Sequence, residues 1–192
     1  MMSLTCKDAA VAWTAAALCM AAFALPATAQ AQEQLYLEPP PGWEKAYDTR
    51  QGTAEIRQFV PEGQNLDDWS DMVVVQVMHG LSTMPPDLFL ASVPGQLEKY
   101  CEEPRFGDIQ KGLMAQQEAA FQIVQCPLNT LTGRGELSMF LVIKGQSNLY
   151  ALQRAWQTPS YLGEDAPIPQ AAMDAGIAYL RAAKLCSSLP CR

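Results

Sequence analysis

The segment Phe59–Met78, with the sequence FVPEGQNLDDWSDMVVVQVM, decides the fold of this chain. Its final part, Met72–Met78, is a short and almost unbroken apolar run rich in β-branched residues, which is typical of a strand buried on both faces. Pro61 and Gly63 end the element before this run, and Asn65 can cap a single helical turn ahead of it. We therefore predict that the other segments pack around Met72–Met78 as the central strand.

Alternating and apolar patterns predict further strands on both sides of the central one. These strands are Trp43–Tyr47, Ala54–Val60, Phe106–Leu113, Ala119–Cys126, Leu137–Lys144 and Leu149–Trp156. Apolar residues at helical spacing predict one helix that follows a cap at Ser82 or Thr83 and is interrupted at Pro94, and a last helix from Pro169 to about Leu185. The order β-β-β-α-β-β-β-β-α predicts an α+β domain, an antiparallel sheet of about six or seven strands with two packed helices.

The first part of the chain has the composition of a cleavable export signal. Lys7 supplies a positive charge, residues 9–25 form an apolar core, and small residues precede a cleavage site that we place after Ala31. The apolar core is shorter than the ~20 residues of a membrane-spanning helix, and no later stretch is long enough to form one. We therefore expect a secreted, periplasmic protein with a signal peptide at 1–31, an extended arm at 32–42 and a single domain at 43–192.

The net charge and the histidine content limit the kinds of partner and site that we expect for this chain. The chain has 13 basic and 20 acidic residues and a net charge of −7, so we expect no nucleic-acid partner, which would need a basic patch. His79 is the single histidine, which weakens histidine-based metal sites and nucleophile schemes. The following segment Gly80–Met84 begins like a nucleophile elbow but lacks the second glycine of that motif. A copper site at Met78, His79 and Met84 is a remote alternative. We predict neither a cofactor nor a metal.

Four cysteines follow the expected cleavage site: Cys101, Cys126, Cys186 and Cys191. An even number in an oxidising compartment predicts two disulfide bonds, with three possible connectivities. We favour Cys101–Cys126, which would tie a helix end to a strand, and Cys186–Cys191, which would close a small loop. A metal site or a catalytic dithiol would instead need a C-x-x-C pair, which these four cysteines do not form.

The residues best suited to binding flank the central strand. Asp67, Asp68 and Asp71 form the densest acidic cluster, which can bind a hard cation or act as an acid–base pair. However, Asp67 and Asp68 also suit the N-terminus of a helical turn, and we favour this structural role. We name no catalytic residue and place a candidate binding site at Trp69, Asp67, Asp68 and His79, which lie near the two ends of the strand.

The run Phe59–Gly63, followed by Trp69, by Asp71–Val73 and by a helix that ends at Cys101, resembles uncharacterised exported proteobacterial proteins. The element order is similar to the α/β sandwich of the PsbP and Mog1-like proteins. Members of that group assist an assembly or bind protein partners. The resemblance implies a binding or accessory role without catalysis, with a periplasmic or envelope protein as the partner.

Two alternatives remain open at this point. One is a carboxylate-based hydrolase of envelope glycans that acts through the region of Asp67, Asp68 and Asp71. The other is a carrier of a small ligand or metal, which would need an apolar cavity or a methionine-lined site. A raised pKa of one of these three carboxyl groups in a concave site would favour the hydrolase, and a surface-exposed capping role of all three would exclude it.

Overall fold

An antiparallel sheet forms the centre of the computed structural model, which describes residues 33–114, 116–163, 165–186 and 191. The strands are β1 Gln34–Tyr36, β2 Trp43–Gln51, β3 Ala54–Pro61, β4 Asp71–His79, β5 Cys101–Glu102, β6 Arg105–Phe106, β7 Gln110–Met114, β8 Gln117–Asn129, β9 Arg134–Lys144, β10 Asn148–Pro159 and β11 Lys184–Cys186. The helices are α1 Pro86–Leu90, α2 Pro94–Leu97 and α3 Gln170–Arg181. The expected signal peptide at 1–31 lies outside the described residues.

The main sheet has the strand order β2-β3-β4-β10-β9-β8-β5, and β6 and β7 also pair with β8. Strand β4 lies between β3 and β10 and is largely buried, as the apolar run Met72–Met78 predicts. Strands β1 and β11 form a separate antiparallel pair. The structure confirms the predicted α+β class with its antiparallel sheet. The predicted strand Phe106–Leu113 is divided between β6 and β7. The additional strands β1, β5 and β11 are two or three residues long, too short to leave a clear alternating pattern in the sequence.

Alternation divides the main sheet into two faces, which we call the α3 face and the α1 face. Val73, Val75 and Val77 of β4 belong to the core beneath α3, whereas Met78 packs with Leu90 of α1 on the opposite face. Helix α3 approaches the sheet closely at Gly176, where a Cβ atom would lie 2.5 Å from Cη2 of Trp156. On the α1 face, α1 and α2 cover one part of the sheet, and Leu66 and Trp69 of the turn before β4 pack against another part.

The helices differ in detail from the sequence prediction. The first helix is two short pieces, as the interruption at Pro94 indicates, but its N-cap is Pro85, and no side chain caps it. Ser82 and Thr83 therefore lie in the preceding turn. The last helix ends at Arg181 instead of Leu185 because Lys184–Cys186 leaves the helix and pairs with β1, which places a short strand inside the predicted extended arm.

Both disulfides favoured from the sequence are present, although Cys101 lies in β5 and not at the end of a helix. Cys101 and Cys126 form a disulfide that joins β5 to β8, with their Cα atoms 5.6 Å apart. Cys186 and Cys191 form the other disulfide, with a Cα–Cα distance of 5.5 Å. In the part of the chain that the structure describes, none of the helices is long and apolar enough to cross a bilayer.

Candidate functional site

A cavity of about 210 Å³ lies on the α1 face, between the α1–α2 segment and the exposed part of the sheet, and we call it the sheet cavity. Its apolar walls come from both layers and include Val74, Phe89, Val93, Leu97, Phe140 and Ala151. Its polar side chains are Gln76, Gln96, Tyr100, Glu136, Ser138 and Gln153. Apolar walls with a few converging polar groups are the usual composition of a ligand-binding cavity.

Strand register places the polar groups of the sheet cavity side by side. Glu136 and Ser138 are two residues apart on β9, so both side chains point to the α1 face. Gln153 of β10 donates from Nε2 to Oγ of Ser138 at 2.8 Å, and this hydroxyl donates to Oε1 of Glu136 at 2.6 Å. The chain of hydrogen bonds fixes the orientation of the Glu136 carboxyl group.

The environment of Glu136 disfavours its charged form. Burial raises the pKa of Glu136, and the hydrogen bond from Ser138 offsets part of this effect. Burial also raises the pKa of Tyr100, and the negative charge of Glu136 raises it further. The described lining includes neither lysine, arginine nor histidine. The sheet cavity therefore holds a carboxyl group with no basic side chain beside it.

The disulfide Cys101–Cys126 supports one wall of the sheet cavity. Cys126 lines the cavity and lies directly opposite Glu136 in the pairing of β8 with β9. Cys101 immediately follows Tyr100, another lining residue. The covalent link thus connects the segment after α2 to the strand that faces Glu136, and it holds the Tyr100 wall against the sheet.

The sheet cavity continues along the α1 face as a second depression. This depression, of about 260 Å³, shares Val74, Glu136 and Gln153 with the cavity and extends to Trp69 and Met72. Glu136 and Gln153 therefore line two adjacent concave regions. Trp69 borders the far one, and only 9% of its surface is exposed.

The predicted residues Asp67 and Asp68 shape the turn before β4. The side-chain oxygen of Asn65 accepts hydrogen bonds from the backbone N–H groups of Asp67 and Asp68, at 2.8 and 3.1 Å. This is an Asx turn rather than the helical turn that we predicted, because the chain bends immediately into β4. Both carboxylates are exposed, and that of Asp68 forms an ion pair with Arg134 at 3.1 Å.

His79 lies at the opposite end of β4. Its Nε2 is 2.9 Å from Oε1 of Glu55, which also forms an ion pair with Arg50 at 3.0 Å. A nine-residue strand spans roughly 26 Å at about 3.3 Å per residue, so His79 does not converge with Trp69, Asp67 and Asp68 on one site. His79 and Glu55 instead line a separate polar depression at that end of the sheet.

Asp71 is separated from the other two aspartates. Its carboxylate forms an ion pair with Arg154, whose guanidinium lies over the ring of Trp43 at 4.5 Å from the ring centre. Rings of Trp156 and Tyr179 lie 5.4 and 5.5 Å from the same group. Burial raises the pKa of Asp71 to about 6, because the loss of hydration outweighs the attraction of Arg154. This arrangement packs the ion pair into the core, away from the sheet cavity.

The two methionines of the suggested copper site differ in exposure. Met78 is buried with a relative exposure of 6%, whereas Met84 is 37% exposed on the loop before α1. Among the described residues, no group of three histidine, cysteine, aspartate or glutamate side chains is placed to hold a metal ion.

Glu136 is the residue that the sequence analysis missed. The apolar pattern predicts a strand that begins at Leu137, whereas β9 begins at Arg134 and includes Glu136. A signal was present: Glu136 and Ser138 alternate with the apolar residues Leu137 and Met139. A polar set on one face of a strand with an apolar opposite face indicates a side that is not closed by the core.

The sequence matches no protein-family model and no curated protein. The fold is similar to the crystal structure of LpqN of Mycobacterium tuberculosis, which is described as involved in cell envelope biogenesis. The two sequences are 16% identical, the match covers 81% of this chain and 84% of LpqN, and the TM-score is 0.48. It is also similar to the Ran-binding protein Mog1p of Saccharomyces cerevisiae, with 10% identity, coverage of 77% and 84%, and a TM-score of 0.41. Both are distant structural similarities.

Proposed function

We propose that this chain is a non-enzymatic binding protein of the bacterial envelope, which is exported to the periplasm and holds part of its partner or ligand in the sheet cavity. The observation that carries the proposal is the oriented carboxyl group of Glu136 in a partly apolar cavity. Such a group costs free energy to bury and contributes little to folding, which is why perturbed carboxyl groups in concave sites are candidates for function.

The chemistry of the lining supports binding over catalysis. Ser138 lies between Gln153 and Glu136, and its hydroxyl lacks the histidine that commonly activates a serine nucleophile. Hydrolysis of glycans by the usual mechanism needs two carboxyl groups about 5–9.5 Å apart. The described lining of the sheet cavity offers one, Glu136. The aspartates of the predicted acidic cluster lie elsewhere, in the turn before β4 and in the ion pair with Arg154.

Export is supported by two independent features. Residues 1–31 have the charge, apolar core and small residues of a cleavable signal. The disulfide Cys101–Cys126 belongs to an oxidising compartment such as the periplasm. Expression of the full chain in a Gram-negative host tests this part: the periplasmic fraction should contain a protein whose mass corresponds to cleavage after Ala31. A full-length cytoplasmic product would contradict it.

A cavity-filling variant tests binding. Ala151 is buried in the lining of the sheet cavity, so Ala151→Phe places a ring in the space that a ligand would occupy. Ala178 is exposed on α3, and Ala178→Phe makes the same change away from the cavity. Native mass spectrometry of the wild type recovered from periplasmic extract should show a bound mass, which Ala178→Phe retains and Ala151→Phe loses.

Equal loading of the two variants would overturn the assignment to the sheet cavity. So would an unloaded wild-type protein under conditions in which it is natively folded. Thermal unfolding of Ala151→Phe verifies that the variant is folded before its loading is compared.

A further inference from the structure

Glu136 places a carboxyl group in the sheet cavity, whose described lining contains no basic side chain that could pair with it. Oε1 of Glu136 accepts the hydrogen bond from Ser138, and Oε2 has no hydrogen-bond partner among the described residues. No basic side chain belongs to the described lining. A cationic ligand would supply the missing partner, and a charge-assisted hydrogen bond is stronger in such a partly dehydrated site than in water.

The shape of the site favours a chain-like ligand. The walls near Glu136 present the apolar side chains of Leu97 and Phe140 and the ring of Tyr100. Glu136 also lines the second depression, which extends to Trp69. An aliphatic chain can pack along these walls while a charged group reaches the carboxylate, and the aromatic rings also favour a cation.

We propose that the sheet cavity recognises a primary ammonium group carried on an apolar chain, with the carboxylate of Glu136 as its counter-ion. This inference rests on the proposed function, because it takes the sheet cavity as the binding site. An ammonium group has three donors and is compact, so it can bond Oε2 of Glu136 while Oε1 keeps its hydrogen bond from Ser138. A planar guanidinium needs a wider approach to a carboxylate, of which one oxygen is already bonded to Ser138.

The proposal predicts a dependence of affinity on pH. Burial raises the pKa of Glu136, and an ammonium group beside it would lower this pKa again, so binding releases a proton and weakens as the pH falls. Tyr100 and Tyr161 are the titratable groups that respond to the charge of Glu136, and both have raised pKa values. They stay neutral at the pH of the experiment.

Isothermal titration calorimetry with pentylammonium and its neutral analogue 1-pentanol tests the proposal. The wild type should bind pentylammonium about tenfold to a hundredfold more tightly than 1-pentanol, the range expected for one hydrogen bond between charged groups. Glu136→Gln should lose this preference while keeping its affinity for 1-pentanol. Glu98→Gln, which removes an exposed charge beside Leu97, should keep the preference.

Equal affinities of the wild type for the two probes would overturn the ammonium assignment, as would an unchanged preference in Glu136→Gln. Loss of the bound mass in Ala151→Phe, together with equal affinities of the wild type for the two probes, would leave the proposed function intact and reject only the ammonium group. If Ala151→Phe keeps the bound mass of the wild type, the proposed site itself is wrong.

The source of the ammonium group is distinguished by a second pair of probes. A lysine side chain of a protein partner predicts that acetyl-Ala-Lys-Ala-amide binds more tightly than pentylammonium, because the peptide also occupies the depression toward Trp69. A free aliphatic amine predicts the reverse order. The norleucine peptide of the same length is the neutral control, and affinity equal to that of the lysine peptide would overturn the proposal.

Discussion

Removal of the disulfide Cys101–Cys126 tests both the stability of the domain and the integrity of the sheet cavity. The bond closes a loop between residues 25 positions apart, and the loss of chain entropy in the unfolded state then corresponds to about 3.5 kcal/mol. We expect the double variant Cys101→Ser, Cys126→Ser to lose about this much free energy of unfolding. It should also bind more weakly in the sheet cavity, because the Tyr100 wall is no longer tied to β8.

Urea denaturation followed by tryptophan fluorescence measures the effect under non-reducing conditions. The matched variant Cys186→Ser, Cys191→Ser removes a bond between residues five positions apart, for which the same relation gives about 2 kcal/mol. Reductant should lower the stability of the wild type and leave a variant without either disulfide unchanged. Equal losses in the two double variants would refute the reasoning from loop length. Unchanged cavity binding without Cys101–Cys126 would refute its role in the wall.

Three further changes test the packing and the electrostatics. Gly176→Ala places a Cβ atom 2.5 Å from the buried ring of Trp156. The cost of overpacking, about 1–3 kcal/mol, should outweigh the ~1 kcal/mol gain in helix propensity, so the variant should be less stable. A higher temperature of thermal unfolding would contradict this close approach. Folding raises the pKa of Asp71 from 3.8 to about 6, so this group contributes roughly 3 kcal/mol to the free energy of unfolding below pH 3.8, and the contribution is lost as the pH rises through 6. Asp71→Asn should flatten the pH dependence of the free energy of unfolding in this interval. An unchanged profile would assign the dependence to other groups. Asn65→Ala removes the acceptor of the turn before β4 and should cost about 1 kcal/mol in chemical denaturation, whereas a neutral result would show that the turn does not need its side-chain acceptor.

The central part of the fold follows from local sequence patterns. The apolar run Met72–Met78 predicts a strand buried on both faces, and β4 occupies that place. The hairpin of β9 and β10 follows from two apolar runs separated by the turn residues Gly145–Asn148. These elements were predictable because their patterns are long and their ends are marked by glycine, proline or polar residues.

The elements that sequence reasoning missed depend on distant partners. Lys184–Cys186 forms a strand because Gln34–Tyr36, far away in the chain, supplies its hydrogen bonds. The short strands β5 and β6 exist because β8 is long enough to pair with them in succession. A local pattern cannot indicate such pairings, since the same residues without the partner strand would remain irregular.

The candidate site was only partly accessible to sequence reasoning. The sequence predicts a site that includes Trp69, which borders the second depression, together with His79, which lies at the other end of β4. The carboxyl group of Glu136 is oriented by a hydrogen bond from Ser138 on its own strand, which in turn accepts a hydrogen bond from Gln153 on the next strand. The register between β9 and β10 decides this contact, and register is set by the whole sheet.

A crystal structure of the wild-type protein in complex with pentylammonium tests the central claim most directly. The account predicts that the ligand occupies the sheet cavity, with its nitrogen about 3 Å from Oε2 of Glu136 and its aliphatic chain against Leu97 and Phe140. Ligand density at the polar depression of His79 and Glu55, with an unoccupied sheet cavity, would contradict it.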